Sequence, residues 1–351
     1  MPPDGFPPAP PAALRLEIDR DALAANWHTL DRLSGKARAG AAVKANGYGL
    51  GAAAVVPALA GAGCRDFFVA HWSEVPAVAA HVPPAMISVL HGPLTAADAA
   101  YGVAMGTKPV INSAHQARLW RDAGGGICDL MVDTGMNRLG LPLARIGDEA
   151  IRGLDIDVLL SHLVSAEEDG ALNDIQRRRW EEARRSIPHR RASLANSAGI
   201  LLGEAFHGDL TRPGLSLYGG IQRAELQGVI GQVAHPMAAI LQVRRVGAGE
   251  TLGYNATFTV PHPMRIGTIA LGYADGYLRC WSGKGGMLSQ GRRLPVLGRV
   301  SMDMTIIDLS AAPDLAEGDW VEAEYSPIAA AARSGLSQYE LFTLLGNRFA
   351  R

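Results

Sequence analysis

A parallel (β/α)8 barrel followed by a mainly β domain is the fold class this sequence predicts, and three observations predict it. Eight short apolar runs end in polar or glycine residues, the stretches between them are long enough for one helix each, and the rhythm changes beyond residue 225. Ahead of the barrel, LRLEID alternates apolar and polar residues from Leu14 like a half-buried strand. Asp19 or Asp21 is placed to cap a helix over DALAANWHTL. The runs are AAVK to Lys44, DFFVA to Ala70, AMISVL to Leu90, KPVIN to Asn112, ICDLMVD to Asp133, DIDVLLSHL to Leu163, RASLAN to Asn196 and GDLTRPGLSLYG to Gly219. Such units in series suit a closed barrel better than an open doubly wound sheet. Past them, MAAILQVRRV, RIGTIALG, RLPVLGRVS, TIIDLS and DWVEAEY are strand-like runs broken by Gly, Pro and Asp. The expected division is a disordered Pro-rich lead over 1–13, a barrel over 14–225 and a β domain over 226–351, the strand at 14–19 being able to join either domain.

Composition narrows the function classes. With 351 residues, 48% hydrophobic and 19% charged, the chain can bury a sizeable core. A net charge of -1, both signs interspersed, supplies no field for nucleic acid or an anionic membrane, so a small-molecule partner is expected. The three cysteines, Cys64, Cys128 and Cys280, show neither a disulfide framework nor CxxC spacing and read as reduced, buried thiols. No apolar stretch approaches the roughly 20 residues of a membrane span, and the N-terminus has no signal-like core; the cytoplasm is the default expectation.

The chemistry begins at AVKANGYGLG, which places Lys44 at the C-terminal mouth of the first barrel strand, where barrel enzymes keep their catalytic groups. Alone, Lys44 reads as a solvated surface charge, with Gly47, Gly49 and Gly51 making a turn. The functional alternative is a partly desolvated amine able to form a Schiff base with an aldehyde cofactor. At the other end of the series, ANSAG and RPGLSLYG follow strands seven and eight, the usual phosphate-binding loops of a barrel. Ser197 offers a hydroxyl at an expected helix N-terminus, and Gly214 lets the backbone donors of Gly214 and Leu215 approach an anion closely. Taken singly, Ser197 reads as a helix N-cap.

On these motifs the chain resembles the alanine racemases, fold III pyridoxal-phosphate enzymes, from Leu14 to Arg348. The resemblance implies pyridoxal 5'-phosphate held by Lys44, with Tyr48, Arg138, His162, Asn196, Ser197, Arg212, Gly214, Leu215 and Tyr339 as further cofactor contacts. It implies that Arg212 faces the pyridine nitrogen, and that His162 packs on the ring and joins a relay with Tyr254 and Arg212. Racemisation removes an α-proton from one face and returns one to the other, so it needs two acid/base groups. The resemblance assigns these roles to Lys44 and to Tyr254 in TLGYNATF, the tyrosine coming from the partner of a homodimer. An unperturbed tyrosine titrates near pH 10, so His162 and Arg212 are expected as the two cations that favour its phenolate. A permanently charged Arg212 also weakens the cofactor as an electron sink, which favours racemisation over side reactions.

The resemblance further implies a substrate entrance from LGYADGYLR, which holds Tyr273 and Arg279, and GRVSMD, which holds Arg299, with Tyr273 narrowing it and Met302 and Asp303 at the substrate; Arg138 binds the substrate carboxylate. The chain departs from the family at Met131, where many relatives carry a carbamylated lysine, so Arg138 is expected to be oriented by Asn137 or a bound chloride. It departs again at Leu50, where histidine is frequent. The activity so implied is interconversion of L- and D-alanine, for peptidoglycan synthesis or catabolism. The rivals are a broad-specificity or serine racemase, a non-catalytic pyridoxal-phosphate-binding protein, and a metal-dependent barrel hydrolase. The last is disfavoured because His162 and His207 lack suitably spaced companion ligands.

Overall fold

The computed structural model describes residue 7 and residues 10–351, so most of the expected lead over 1–13 lies outside the described residues. Contacts divide the chain into two units, Arg20–Val233 and a second formed by the N-terminal segment to Asp19 with Ala234–Arg351.

The first unit is the barrel. Its strands are Arg38–Ala39 continued by Ala41–Ala42, Phe67–Val69, Ile87–Val89, Lys108–Ile111, Cys128–Asp133, Ile156–Leu160, Arg191–Ser193 and Leu210–Thr211. Neighbours pair in parallel. The ring closes through the short last strand. The Gly40 N–H donates to the Thr211 carbonyl at 2.9 Å and the Ala42 N–H to Pro213 at 2.9 Å, while on the other side the Arg212 N–H donates to Ala195 at 2.9 Å. Inside the ring Phe68, Val110, Met131, Val158, Leu160 and Leu210 pack as an apolar plug.

Not every connection holds the expected α-helix. Those after strands five, seven and eight carry only 3-10 turns, at Leu143–Arg145, Gly199–Leu202 and Leu215–Tyr218. Beside the last of these lies the first helix, Arg20–Leu33, whose Asn26 Nδ2 donates to the carbonyls of Leu217 (3.1 Å) and Gly231 (2.9 Å). Asn26 Oδ1 accepts from the Gly231 N–H at 2.8 Å. These bonds hold the segment after 225 to the barrel, so the junction falls at Val233/Ala234, later than the 225/226 boundary read from composition.

Below the apolar plug, at the N-terminal strand ends, sits a charged floor. Arg191 binds Asp66 through two hydrogen bonds (3.0 and 2.8 Å) and Asp157 through two more (3.1 and 2.8 Å). Lys108 Nζ reaches Asp157 at 2.6 Å, and the fully buried Asp129 accepts from Ser88 Oγ (2.6 Å) and the Val158 N–H (3.1 Å).

In the second unit, Ala234–Val246, Met264–Ile269, Thr305–Asp308, Arg292–Leu297, Gly286–Ser289 and Trp320–Ala323 form an antiparallel ring that returns to its first strand. Closure leaves these strands no open edge. Leu14–Ile18 adds to it antiparallel, Leu16 opposite Pro236. Among the described residues no helix is long and apolar enough to cross a membrane.

Candidate active site

Lys44 lies two residues beyond its strand, at the head of a left-handed turn. Ala45, Asn46 and Tyr48 all have φ of 54°, Gly47 has 65° and Gly49 has 85°. L-residues avoid this region because Cβ crowds the following carbonyl oxygen, so so many in succession mark a turn held by its surroundings. Burial lowers the Lys44 pKa, the Arg138 charge lowers it further, and the Glu74 carboxylate opposes both. The amine is therefore easier to deprotonate than a solvated lysine.

Tyr48, nearly buried, stacks on Tyr218 with ring centroids 4.7 Å apart, and Tyr218 Oη donates to the Ala42 carbonyl at 2.8 Å. Opposite stands the cradle after strands seven and eight. Ser197 is not the helix cap expected of it. Asn196 Oδ1 accepts the Gly199 N–H at 2.8 Å, while buried Ser197 Oγ accepts from the Gly214 N–H at 2.9 Å and the Ser216 N–H at 3.3 Å. The hydroxyl thus spans the two loops instead of starting a turn. Leu215 opens the 3-10 turn that follows Gly214, and among the described residues buried Ser216 Oγ has no hydrogen-bond partner. A Cβ on Gly214 would sit 2.2 Å from Tyr48 Oη, so any larger residue there would have to push the phenol aside.

Arg212 is buried among Ser193 Oγ, the Ser161 carbonyl and, at 3.5 Å, the Leu194 carbonyl. Burial brings its pKa down to about 10, which leaves it cationic at neutral pH. His162 departs from expectation. Burial and the charges of Arg212, Arg138 and Lys44 push its pKa down to about 3, so it is a neutral imidazole and not one of two cations. Arg138 is exposed on the loop after strand five. Among the described residues neither Asn137 nor any other protein group hydrogen-bonds it, and Met131 has turned into the apolar plug.

Within the second unit, Tyr254 is 64% exposed at the start of a 3-10 turn, Tyr254–Ala256, that continues in left-handed backbone at Asn255 and Ala256. A Cβ on Gly253, just before it, would lie 3.9 Å from the Arg299 backbone, so this turn sits beside GRVSMD. There the Tyr273 N–H donates to Ser301 and the Ala274 N–H to the Met302 carbonyl, each at 3.0 Å, and Arg279 covers the Tyr273 ring at 5.2 Å. Arg348 clamps the segment by binding Asp275 (2.7 Å) and Asp303 (2.6 Å), so the Asp303 carboxylate is committed to an ion pair. Met302 is exposed. Tyr339 lies on the helix Gln338–Thr343, capped by Ser337. The barrel unit thus gathers Lys44, Tyr48, His162, Ser197, Arg212 and Gly214; Tyr254, Tyr273, Met302, Asp303 and Tyr339 belong to the other unit. Cys280 is half-exposed, unlike buried Cys64 and Cys128.

Sequence reading missed Glu74 and Tyr218. Glu74 carried no readable signal, since His71 at the head of its turn is not a capping residue; Tyr218 carried none beyond its position in RPGLSLYG.

A barrel closed on itself, with a desolvated amine at the end where barrel enzymes keep their catalytic groups and a glycine-lined cradle after strands seven and eight, belongs to the class of (β/α)8-barrel enzymes. Comparison with known proteins narrows this class. The family model "Alanine racemase, N-terminal domain" matches residues 18–222, and "Alanine racemase, C-terminal domain" matches 233–351. An alanine racemase of Methylobacterium nodulans is 42% identical over 96% of this chain and 95% of its own, and a catabolic alanine racemase of Mesorhizobium japonicum is 41% identical over 96% and 92%. The crystal structure of alanine racemase from Bartonella henselae with covalently bound pyridoxal phosphate superposes with a TM-score of 0.88 at 34% identity, over 97% of this chain and 99% of that one. The chain belongs to the alanine racemase family and is an enzyme of the isomerase class.

Proposed function

We propose that the chain interconverts L-alanine and D-alanine with pyridoxal 5'-phosphate as its cofactor and with Lys44 and Tyr254 as bases on opposite faces of the substrate. The observation that carries this reading is the depressed Lys44 amine, set at the mouth of a barrel that also builds the Ser197–Gly214 cradle. The residues present fit the cofactor: among the described residues the buried Ser216 hydroxyl has no hydrogen-bond partner, and Gly214 beside it lets Tyr48 close in on the same loop. Lys44, Tyr48, Asn196, Ser197, Gly214 and Leu215 would hold it, with Arg212 at the pyridine nitrogen.

When bound, the cofactor withdraws electrons from the substrate α-carbon and so makes its proton removable. The chain supplies the rest. Lys44 Nζ, neutral more readily than an ordinary lysine, takes or returns a proton on one face. Tyr254 Oη serves the other from the partner subunit of a homodimer with shared sites, an arrangement its exposure in the single chain supports. Neutral His162 beside cationic Arg212 forms a hydrogen-bonding relay toward that phenol. Arg138 and the Met302 N–H bind the substrate carboxylate, while Tyr273 under Arg279 restricts the side chain. Cytoplasmic supply of D-alanine for peptidoglycan, or alanine catabolism, is the role that follows.

The test is a visible absorbance band that borohydride erases, together with a coupled D-alanine assay; initial rates with alanine, serine, lysine and arginine decide the substrate. Lys44→Ala abolishes the band. Tyr254→Phe keeps it and loses proton transfer on one face, so unchanged rates in both directions would contradict the assignment.

A further inference from the structure

We infer that Glu74 is a positioning residue for this reaction: its carboxylate fixes the turn that presents Lys44 by binding the N–H of Ala45 together with two N–H groups of the loop after the second barrel strand. The inference rests on the reading of Lys44 as a catalytic amine. One oxygen, Oε1, accepts from the Ala45 N–H; the other, Oε2, accepts from the Ala70 N–H at 2.7 Å and the His71 N–H at 3.1 Å. Both oxygens are engaged, and bonds to a carboxylate are the strong ones.

The turn needs an external hold. Among its bonds several are internal: Gly47 N–H to Val43, Gly49 N–H to Ala45 and Gly51 N–H to Asn46, each 2.8 Å, with the Ala52 N–H on Asn46 Oδ1 at 2.8 Å. Stacking on Tyr218 secures the far end at Tyr48. The near end, at exposed Ala45, has among the described residues no acceptor for its N–H other than Glu74. The Ala45 nitrogen belongs to the peptide unit that leaves Lys44, so the plane of that peptide sets the direction in which the lysine side chain departs. Backbone in a disfavoured region persists only where its surroundings over-determine it, and Glu74 supplies the restraint nearest the amine. The charged and titratable groups around it are Lys44, Arg138, His71 and His91, the two imidazole rings lying 4.2 Å apart.

The experiment compares wild-type, Glu74→Ala and Glu74→Gln holoenzymes by hydrogen exchange over residues 43–52 and by steady-state kinetics. In Glu74→Ala the turn amides exchange at least about tenfold faster. A misplaced amine lowers kcat by about 100-fold while KM stays within about twofold. Glutamine has one acceptor oxygen where the carboxylate has two, so Glu74→Gln keeps one tether and falls between; it also carries the test should the alanine variant fail to fold. Wild-type exchange at Ala45 overturns the inference, as does a loss that appears only in KM. A wild-type enzyme without the borohydride-sensitive band would instead sink the reading of Lys44, and the exchange contrast would still judge the turn.

Discussion

Tyr48 Oη faces the α-carbon of Gly214 so closely that a Cβ there would fall 2.2 Å away. The approach leaves no room for a Cβ at Gly214 unless the phenol moves. Gly214→Ala is expected to displace the phenol, weaken cofactor retention and cost about 1–3 kcal/mol of stability. Adding Tyr48→Phe removes the clashing oxygen and recovers part of the stability. A double-mutant cycle of unfolding free energies, with cofactor retained after dialysis, measures the coupling; strictly additive losses would show that the two groups do not meet.

Much of this site was legible because its motifs are contiguous. AVKANGYGLG places the lysine, and RPGLSLYG places Arg212 and Gly214. What sequence could not give was the partner across space. Ser197 looks like a cap within ANSAG, yet its acceptor capacity goes to Gly214 and Ser216, while the neighbouring Asn196 makes the local bond. The barrel strands were readable as apolar runs, whereas the weak helices after strands five, seven and eight were not, because chain length permits a helix without requiring one. The fate of Met131 shows the same limit: its loss of a charge is visible in sequence, its turn into the apolar plug only in the fold.

Arg138 acts on Lys44 by like charge, second only to burial in lowering its pKa. Removing that charge makes the ammonium form more stable, so Arg138→Met raises the Lys44 pKa and moves its deprotonation to higher pH. The rate at which cofactor-stripped protein takes up pyridoxal phosphate depends on the neutral amine. Its pH profile is therefore expected to shift toward alkaline pH in the variant, and an unshifted profile would remove Arg138 from the electrostatics of the site.

His162 titrates near 6.5 when unfolded and is held down at about 3 in the fold by burial and three neighbouring cations. Between those values the unfolded chain binds a proton that the folded chain refuses, so stability falls as pH drops from about 6.5 toward 3. The loss at the bottom of that window is of order 4 kcal/mol. Urea unfolding of the wild type and of His162→Asn at pH 7.5, 6 and 5 checks this: the variant loses less stability on acidification, and parallel curves would contradict a buried neutral imidazole.

Arg191 does its work at the opposite end of the barrel from the lysine. Its guanidinium is the shared partner of Asp66 and Asp157, and Asp157 also holds Lys108, whose ammonium lies 3.9 Å from fully buried Asp129. Burial raises the pKa of Asp129, and the Lys108 charge opposes that rise, so the floor tolerates a buried carboxyl only while its cations stay in place. Arg191→Met leaves two carboxylates facing each other with Lys108 alone between them, and breaking such a pair from one side costs about 3–5 kcal/mol. Barrel chemistry sits at the C-terminal strand ends and the floor at the N-terminal ends, so kcat at a temperature where the variant remains folded should be unchanged. The denaturant midpoint and kcat are measured on the same preparation. A fall in kcat without a fall in the midpoint would mean that the floor reaches the lysine through the apolar plug, whereas a lower midpoint with wild-type kcat would confine the network to holding the barrel shut.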